Sequence, residues 1–197
     1  MIRVGVIGVQ GDVQEHVDAV TQALKRMGVE GEAFWLRRKE QLEKVDAIII
    51  PGGESTTISR LMLKNGLFEP VRKLGEEGLP IMGTCAGLIM LSKEVEGATK
   101  EQRFLELLDV RVNRNAYGRQ VDSFEAPLRL AFSDEPFTGV FIRAPQIIKL
   151  LSEKVKPIAW LGERIVGVEQ GNIMGLEFHP ELVDDTRVHE YFLRKVL

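Results

Sequence analysis

Cys85, His179 and Glu181 are the residues whose types and settings could together attack a carbonyl carbon. Cys85, the only cysteine, stands in Leu79-Pro80-Ile81-Met82-Gly83-Thr84-Cys85-Ala86-Gly87-Leu88-Ile89-Met90-Leu91: an apolar run, then small residues, then a second apolar run. That order reads as strand, sharp turn and helix. Glycines on both sides of a nucleophile allow the strained backbone that lifts a side chain above a sheet, the logic of the Gly-x-Ser-x-Gly elbow with sulfur in place of oxygen. A sulfur at the start of a helix also meets the positive end of the helix dipole, which favours the thiolate. A cysteine that merely filled a strand-helix junction would need no permissive residue on either side.

A base for such a thiol is offered by Gly175-Leu176-Glu177-Phe178-His179-Pro180-Glu181-Leu182, near the end of the last expected strand. In extended backbone, residues two apart share a face, and Pro180 biases His179 toward extended dihedrals, so imidazole and carboxylate can meet without help from elsewhere. A carboxylate on one ring nitrogen fixes the tautomer and leaves the other free to take the thiol proton. Taken alone, His-Pro-Glu fits a surface turn equally well; the elbow gives it weight. Pro51-Gly52-Gly53-Glu54-Ser55-Thr56 follows another apolar run and frees backbone amides to point outward. An N–H at Gly53, with that of Ala86, could hold a developing oxyanion, where loss of one donor costs about 2.7 to 4 kcal/mol. A turn in which Ser55 or Thr56 caps the next helix fits the same residues.

The remaining signals are weaker. His16 and His189 fall within expected helices and are assigned to solvent-facing sides. No cysteine pair or His-Glu-x-x-His spacing points to a metal. Gly5, Gly8 and Gly11 are spaced G-x-x-G-x-x-G, which departs from the dinucleotide fingerprint, and no phosphate-binding Walker sequence is present. Neither a metal nor a cofactor is expected.

These side chains need a scaffold, and the pattern of the chain supplies one. Residues 2–9 read as a strand buried on both faces, 12–27 as an amphipathic helix on Val13, Val17, Val20, Leu24 and Met27 that stops at Gly28. A strand at 31–36, a short helix at 39–44 and a strand at 46–50 follow, then helices at 56–64 and 68–77 and a strand at 79–83. Strands alternating with helices predict a mostly parallel central sheet with helices on both faces, an α/β three-layer sandwich. Between Val110 and Gly175 short alternating runs such as Val140 to Arg143 predict antiparallel strands and hairpins added to that sheet. A helix is expected within 184–197, from Val188, Tyr191, Phe192 and Val196.

Composition narrows the classes. A chain of 197 residues suits one domain, 1–197, without metals or disulfides to hold it. A formal net charge of -3, with acidic and basic residues interleaved, offers no footprint for nucleic acid. No segment approaches the roughly 18 apolar residues of a membrane span, and the opening Met-Ile-Arg-Val-Gly-Val-Ile-Gly-Val lacks the form of a signal peptide. With a single cysteine, a reducing, cytoplasmic setting is expected.

In order along the chain, Gly8-Val9-Gln10-Gly11 with Glu15-His16, Pro51 to Thr56, Gly83 to Gly87, Asn115-Ala116-Tyr117-Gly118-Arg119-Gln120, Phe141-Ile142-Arg143-Ala144-Pro145 and His179-Pro180-Glu181 resemble the blocks of class I glutamine amidotransferases, and within them of the glutaminase subunits of pyridoxal 5'-phosphate synthases. The resemblance implies a flavodoxin-like fold, Cys85 as nucleophile with His179 and Glu181 as relay, and glutamine contacts from Gly52, Gly53, Glu54, Arg114, Ile142 and Arg143. A guanidinium and a carboxylate suit the two ends of L-glutamine. It also implies a hetero-oligomer with a synthase subunit that joins the released ammonia to a pentose phosphate and a triose phosphate, and Gln10 is a possible contact for that partner. Two rival readings are a cysteine hydrolase or deglycase-like enzyme of the same superfamily, and a noncatalytic binding module.

Overall fold

The computed structural model describes residues 1–115 and 123–197. The Ala116-to-Gln120 part of one motif noted above lies outside them. The chain opens with β1 (Ile2–Ile7), α1 (Val13–Met27), β2 (Gly31–Leu36), a 3-10 turn (Lys39–Lys44) and β3 (Ala47–Ile50). It continues through α2 (Ser55–Lys64), α3 (Phe68–Glu76), β4 (Ile81–Thr84) and α4 (Ala86–Leu91). The expected βαβαβ opening is therefore present. Gly28 ends α1 in the left-handed region at φ 65°, with its N–H donating to the carbonyls of Leu24 and Lys25, the stop that a residue without Cβ makes cheap.

The second half runs β5 (Ser92–Glu96), β6 (Leu108–Asn113), β7 (Ser123–Leu130), β8 (Ser133–Ile142), β9 (Gln146–Leu150), β10 (Lys156–Leu161), β11 (Arg164–Gln170), β12 (Ile173–Leu176), a 3-10 turn (Pro180–Leu182) and α5 (Arg187–Arg194). One sheet has the order β2-β1-β3-β4-β12-β11-β10-β7-β8. Its first five strands are parallel, and from β12 onward the pairings are antiparallel. The additions differ from expectation in two respects, the parallel pairing of β5 with β6 and the sheet these strands join. β5, β6 and β9 form a separate three-stranded sheet, and the charged, mostly exposed Ser-Lys-Glu-Val-Glu of β5 carries too little apolar alternation to announce a strand.

Side chains of the parallel strands alternate between two faces, as the period of two requires. Val4, Val6, Ala47, Ile49, Met82 and Met174 pack beneath α1 and α5 through Val13, Val20, Leu24, Val188 and Phe192. Ile7, Ile48, Ile50, Ile81 and Ile173 pack beneath α2, α3 and α4 through Ile58, Met62, Phe68, Val71 and Leu88, with Val110 and Val112 of the small sheet beside them. The result is the three-layer sandwich. Glu177 fastens the small sheet to the large one: its buried carboxylate accepts from the Ile147 N–H of β9 at 2.7 Å and from Arg164 of β11 at 2.9 Å.

Two outcomes follow from this packing. At Gly87 of α4 an added Cβ would lie 2.0 Å from the Ile50 carbonyl oxygen. A solvent-facing helical Gly→Ala change gains up to about 1 kcal/mol, but here Gly87→Ala must push α4 off β3, so a loss of about 1 to 3 kcal/mol is expected in urea unfolding. Burial raises Glu177 to about 7 against the opposing Ile147 N–H and Arg164 charge. A carboxyl raised in the folded state has its stability contribution intact below the ordinary 4.5 and loses it as pH climbs through about 7. The stability difference between parent and Glu177→Gln should therefore move in the variant's favour by on the order of 3 kcal/mol across that window, and a pH-independent difference would contradict the burial argument.

Candidate active site

Four connections leave the carboxyl ends of neighbouring parallel strands: residues 8–12 after β1, 51–54 after β3, Cys85 after β4, and 177–181 after β12. Open parallel sheets bind ligands at that edge. Cys85 adopts φ 54° and ψ -108° between β4 and α4, a left-handed backbone that is uncommon for a residue with a side chain and costs of order 1 to 3 kcal/mol. The bond from Cys85 N–H to the Leu176 carbonyl at 2.9 Å holds the turn to β12. The elbow read from the flanking glycines is thus present, and the buried Sγ lies 3.7 Å from the Ile142 carbonyl oxygen.

His179 is fixed by its N–H to the Val140 carbonyl at 2.8 Å, and its side chain lies near enough to that of Cys85 for the two to interact. The two candidate partners, separated by almost a hundred positions, are therefore together. Nδ1 lies 2.8 Å from Glu181 Oε1. The expected pairing holds, although its local cause differs. His179 itself is extended at φ -105° and ψ 90°, but Pro180 begins a 3-10 turn, and this turn brings Glu181 back under the ring. Asp12, unnoticed in the sequence, places Oδ2 3.3 Å from the same Nδ1. Burial by itself pulls the imidazolium down, yet bonds to Asp12, Cys85 and Glu181 and the Glu181 charge outweigh it and push His179 up to about 12.

Behind this pair the structure corrects the reading of the other two histidines. His16 and His189 are fully buried. His16 Nδ1 lies 3.0 Å from His189 Nε2, and His16 Nε2 lies 3.0 Å from Thr84 Oγ1 and 3.1 Å from Glu181 Oε2. A single N–H cannot align with both oxygens. The better-directed bond goes to Thr84, and Glu181 Oε2 keeps a close electrostatic contact without a formal hydrogen bond. Burial by itself raises Glu181, but the contacts with His16 and then His179 outweigh it and hold the carboxyl at about 2. His189, by contrast, is pushed down to about 3 by burial and by His16 beside it, and its Nδ1 has no partner. The signal was in the helix period: His16 stands three residues after Val13 and four before Val20, on the buried stripe of α1.

The expected substrate-contact residues lie around this core. An added Cβ on Gly52 would meet the His179 ring at 2.4 Å, and one on Gly53, at φ 148°, would meet Gln10 Oε1 at 2.6 Å. These close approaches are why the loop is made of glycine. Gln10 Oε1 accepts from the Glu54 N–H at 2.8 Å, so Gln10 clamps the loop. Glu54 rather than Ser55 or Thr56 caps α2: its oxygens accept from the amides of Thr56 and Thr57 and from both hydroxyls. Arg114 also reaches Glu54, at 3.2 Å, and Gln102, at 3.1 Å. Burial by itself raises Glu54, but the threonine bonds hold it at about 2. Arg143, just after the Ile142 carbonyl beside Sγ, is exposed and takes φ 45°. Ala86 opens α4, where its N–H has no partner within the helix.

Among the described residues, Asp12, His179 and Glu181 are the group whose donor atoms converge, all within 4.8 Å. A metal there would need the lone pair of His179 Nδ1, which the proton shared with Glu181 already occupies. The set fits an imidazolium better than a cation site.

Residues 6–197 match the model of the SNO glutamine amidotransferase family. The chain is similar to the protein of Thermococcus onnurineus named pyridoxal 5'-phosphate synthase subunit PdxT, at 80% identity over 197 residues and 100% of both chains. A protein of the same name from Thermococcus gammatolerans is 79% identical over 197 residues, again across 100% of each. A solved structure described as a glutamine amidotransferase superposes with a TM-score of 0.86 at 47% identity, covering 98% of each chain.

The charge of Glu181 is the test of the relay's electrostatics. Glu181→Gln removes an anion that favours the imidazolium, so the His179 pKa must fall, by about one unit or more. Imidazole NMR titration of the full chain should find the His179 step of the variant at a lower pH than that of the parent. An unmoved step would mean that Glu181 does not hold the proton on His179.

Proposed function

The chain belongs to the SNO glutamine amidotransferase family, and on that premise we propose that it is the glutaminase subunit of a pyridoxal 5'-phosphate synthase, with Cys85 as nucleophile, His179 as its acid and base, and Glu181 as the carboxylate behind the imidazole. The observation that carries this reading is the placement of the Cys85 elbow, at φ 54°, and of the His179 imidazole, paired with Glu181 at 2.8 Å, at the carboxyl ends of the adjacent strands β4 and β12. Sulfur adds to the carboxamide carbon of L-glutamine, and the carbonyl electron pair moves onto oxygen, which rests on the Gly53 and Ala86 amides. The imidazolium then gives a proton to the nitrogen, the carbon-nitrogen bond breaks, and ammonia leaves a thioester. Water gives a proton to the now neutral His179 as its oxygen attacks the thioester; the carbon-sulfur bond breaks and glutamate departs.

In this scheme Gly52 and Gly53 border the reacting carbon, the Glu54–Arg114 ion pair meets one end of the glutamine, and Ile142 with Arg143 meets the other. The ammonia is consumed by a synthase subunit in a cytoplasmic hetero-oligomer, in keeping with the name that the Thermococcus relatives bear. Gln10 is the residue through which docking reaches the oxyanion loop, because its side chain already grips the Glu54 amide. Equal glutaminase rates with and without the synthase subunit would contradict that role.

Cys85→Ala is expected to lower kcat for glutamate release by about 10⁴-fold or more, measured with the synthase subunit present, and to abolish transfer of label from the glutamine amide nitrogen into pyridoxal phosphate. A variant that still hydrolyses glutamine at the parental rate would refute the assignment.

A further inference from the structure

Glu181 has two oxygens, and the scheme above uses one. The other points into a closed polar cluster made by His16 of α1, His189 of α5 and Thr84 at the end of β4, all buried. The proton positions in that cluster follow from what burial forbids. His189 is held neutral by burial, so it carries one N–H. Its Nδ1 has no partner and its Nε2 faces His16 Nδ1. With the hydrogen on Nε2, the atom left bare is a lone pair, whereas the other tautomer would orphan an N–H in the core. His16 Nδ1 then accepts, and the His16 proton sits on Nε2, facing Thr84 Oγ1 at 3.0 Å and Glu181 Oε2 at 3.1 Å. The reverse arrangement would set an imidazole lone pair against a buried carboxylate oxygen.

We propose that His16 is a positioning residue of the glutaminase: its Nε2–H, with the tautomer fixed by His189, donates to Oγ1 of Thr84, the residue before Cys85, and so keeps its positive edge 3.1 Å from Glu181 Oε2, an electrostatic contact that keeps Oε1 on His179. The chemistry resembles a triad extended by one imidazole, with a helix on the far side of the sheet setting the orientation of the base. His16 touches neither the sulfur nor the glutamine. It acts through Glu181, and the proposal rests on the glutaminase reading given above.

The test uses two polar replacements of nearly equal size, assayed as full chains with the synthase subunit present. In His16→Gln an amide nitrogen can occupy the Nε2 position and still present its N–H to Thr84 and Glu181; in His16→Asn the amide reaches only the Nδ1 position, toward His189. His16→Asn should lower kcat by about 10-fold or more with KM for glutamine within about twofold, while His16→Gln stays within about threefold of the parent. Equal rates in the two variants, whether both parental or both reduced, overturn the proposal. If His16→Asn does not fold, His189→Gln and His189→Leu read the same relay one residue back: Gln preserves kcat and Leu lowers it with KM unchanged, and equal values again overturn it. A parent without glutaminase activity sinks the functional reading and this proposal with it, whereas an active parent with indifferent variants sinks this proposal alone.

Discussion

A carboxylate buried between two imidazoles is the constraint on which the rest of the structure depends. Glu181 is withdrawn from water with its charge intact, and an uncompensated buried anion would cost several kcal/mol. Its charge is answered by His179 on one oxygen and approached by His16 on the other. Satisfying that demand fixes the 3-10 turn after His179, the depth of α1 against the sheet, and the place of α5, whose His189 closes the cluster. The catalytic geometry and the core packing are therefore one arrangement: loosening α1 would disturb the base as much as it would disturb the hydrophobic layer beneath it.

The sheet turns this local demand into a site. Because β1, β3, β4 and β12 are adjacent and parallel, their carboxyl ends bring Asp12, the Gly52-Gly53 loop, Cys85 and His179 to a common edge from four distant parts of the sequence. The antiparallel extension contributes from the side. β8 ends at Ile142, whose carbonyl faces the sulfur, and Val140 of the same strand fixes the His179 backbone. Glycine is required where these connections converge. At Gly52 the ring of His179 occupies the space of a side chain, and at Gly83 and Gly87 the elbow and its helix press on each other and on β3.

Much of this could be read from residue order, and the failures have physical reasons. The elbow was legible because Gly83 and Gly87 bracket Cys85 between two apolar runs, and the His-Pro-Glu pair because a proline and two functional groups stand within three residues. The alternation of strands and helices up to Leu91 gave the layers correctly. β5 escaped because its residues are charged, and its partner β6 lies beyond an irregular stretch. His16 and His189 were assigned to solvent on polarity, although each shares a helical face with buried apolar neighbours. A polar residue on an apolar stripe marks a satisfied buried network, and its partners here come from three other elements, which no local pattern encodes. Asp12 was missed for the same reason: its contact with His179 exists only once β1 and β12 are in one sheet.

Glu177 and Glu181 show how far side-chain identity falls short of role. They lie four residues apart on one segment, and both are buried, yet one is raised to about 7 and the other lowered to about 2. Burial pushes both upward. Glu177 answers it with a backbone N–H and a partly exposed guanidinium, and these do not suffice. Glu181 answers it with two buried imidazoles in direct contact, and they do. Only a carboxylate that remains an anion can hold its neighbour as an imidazolium, so in the proposed reaction Glu181 supports proton delivery to departing ammonia, while Glu177 fastens the two sheets together. The division of labour is set by the kind of partner the fold delivers to each carboxyl, and at Glu181 one of the two buried imidazoles comes from α1.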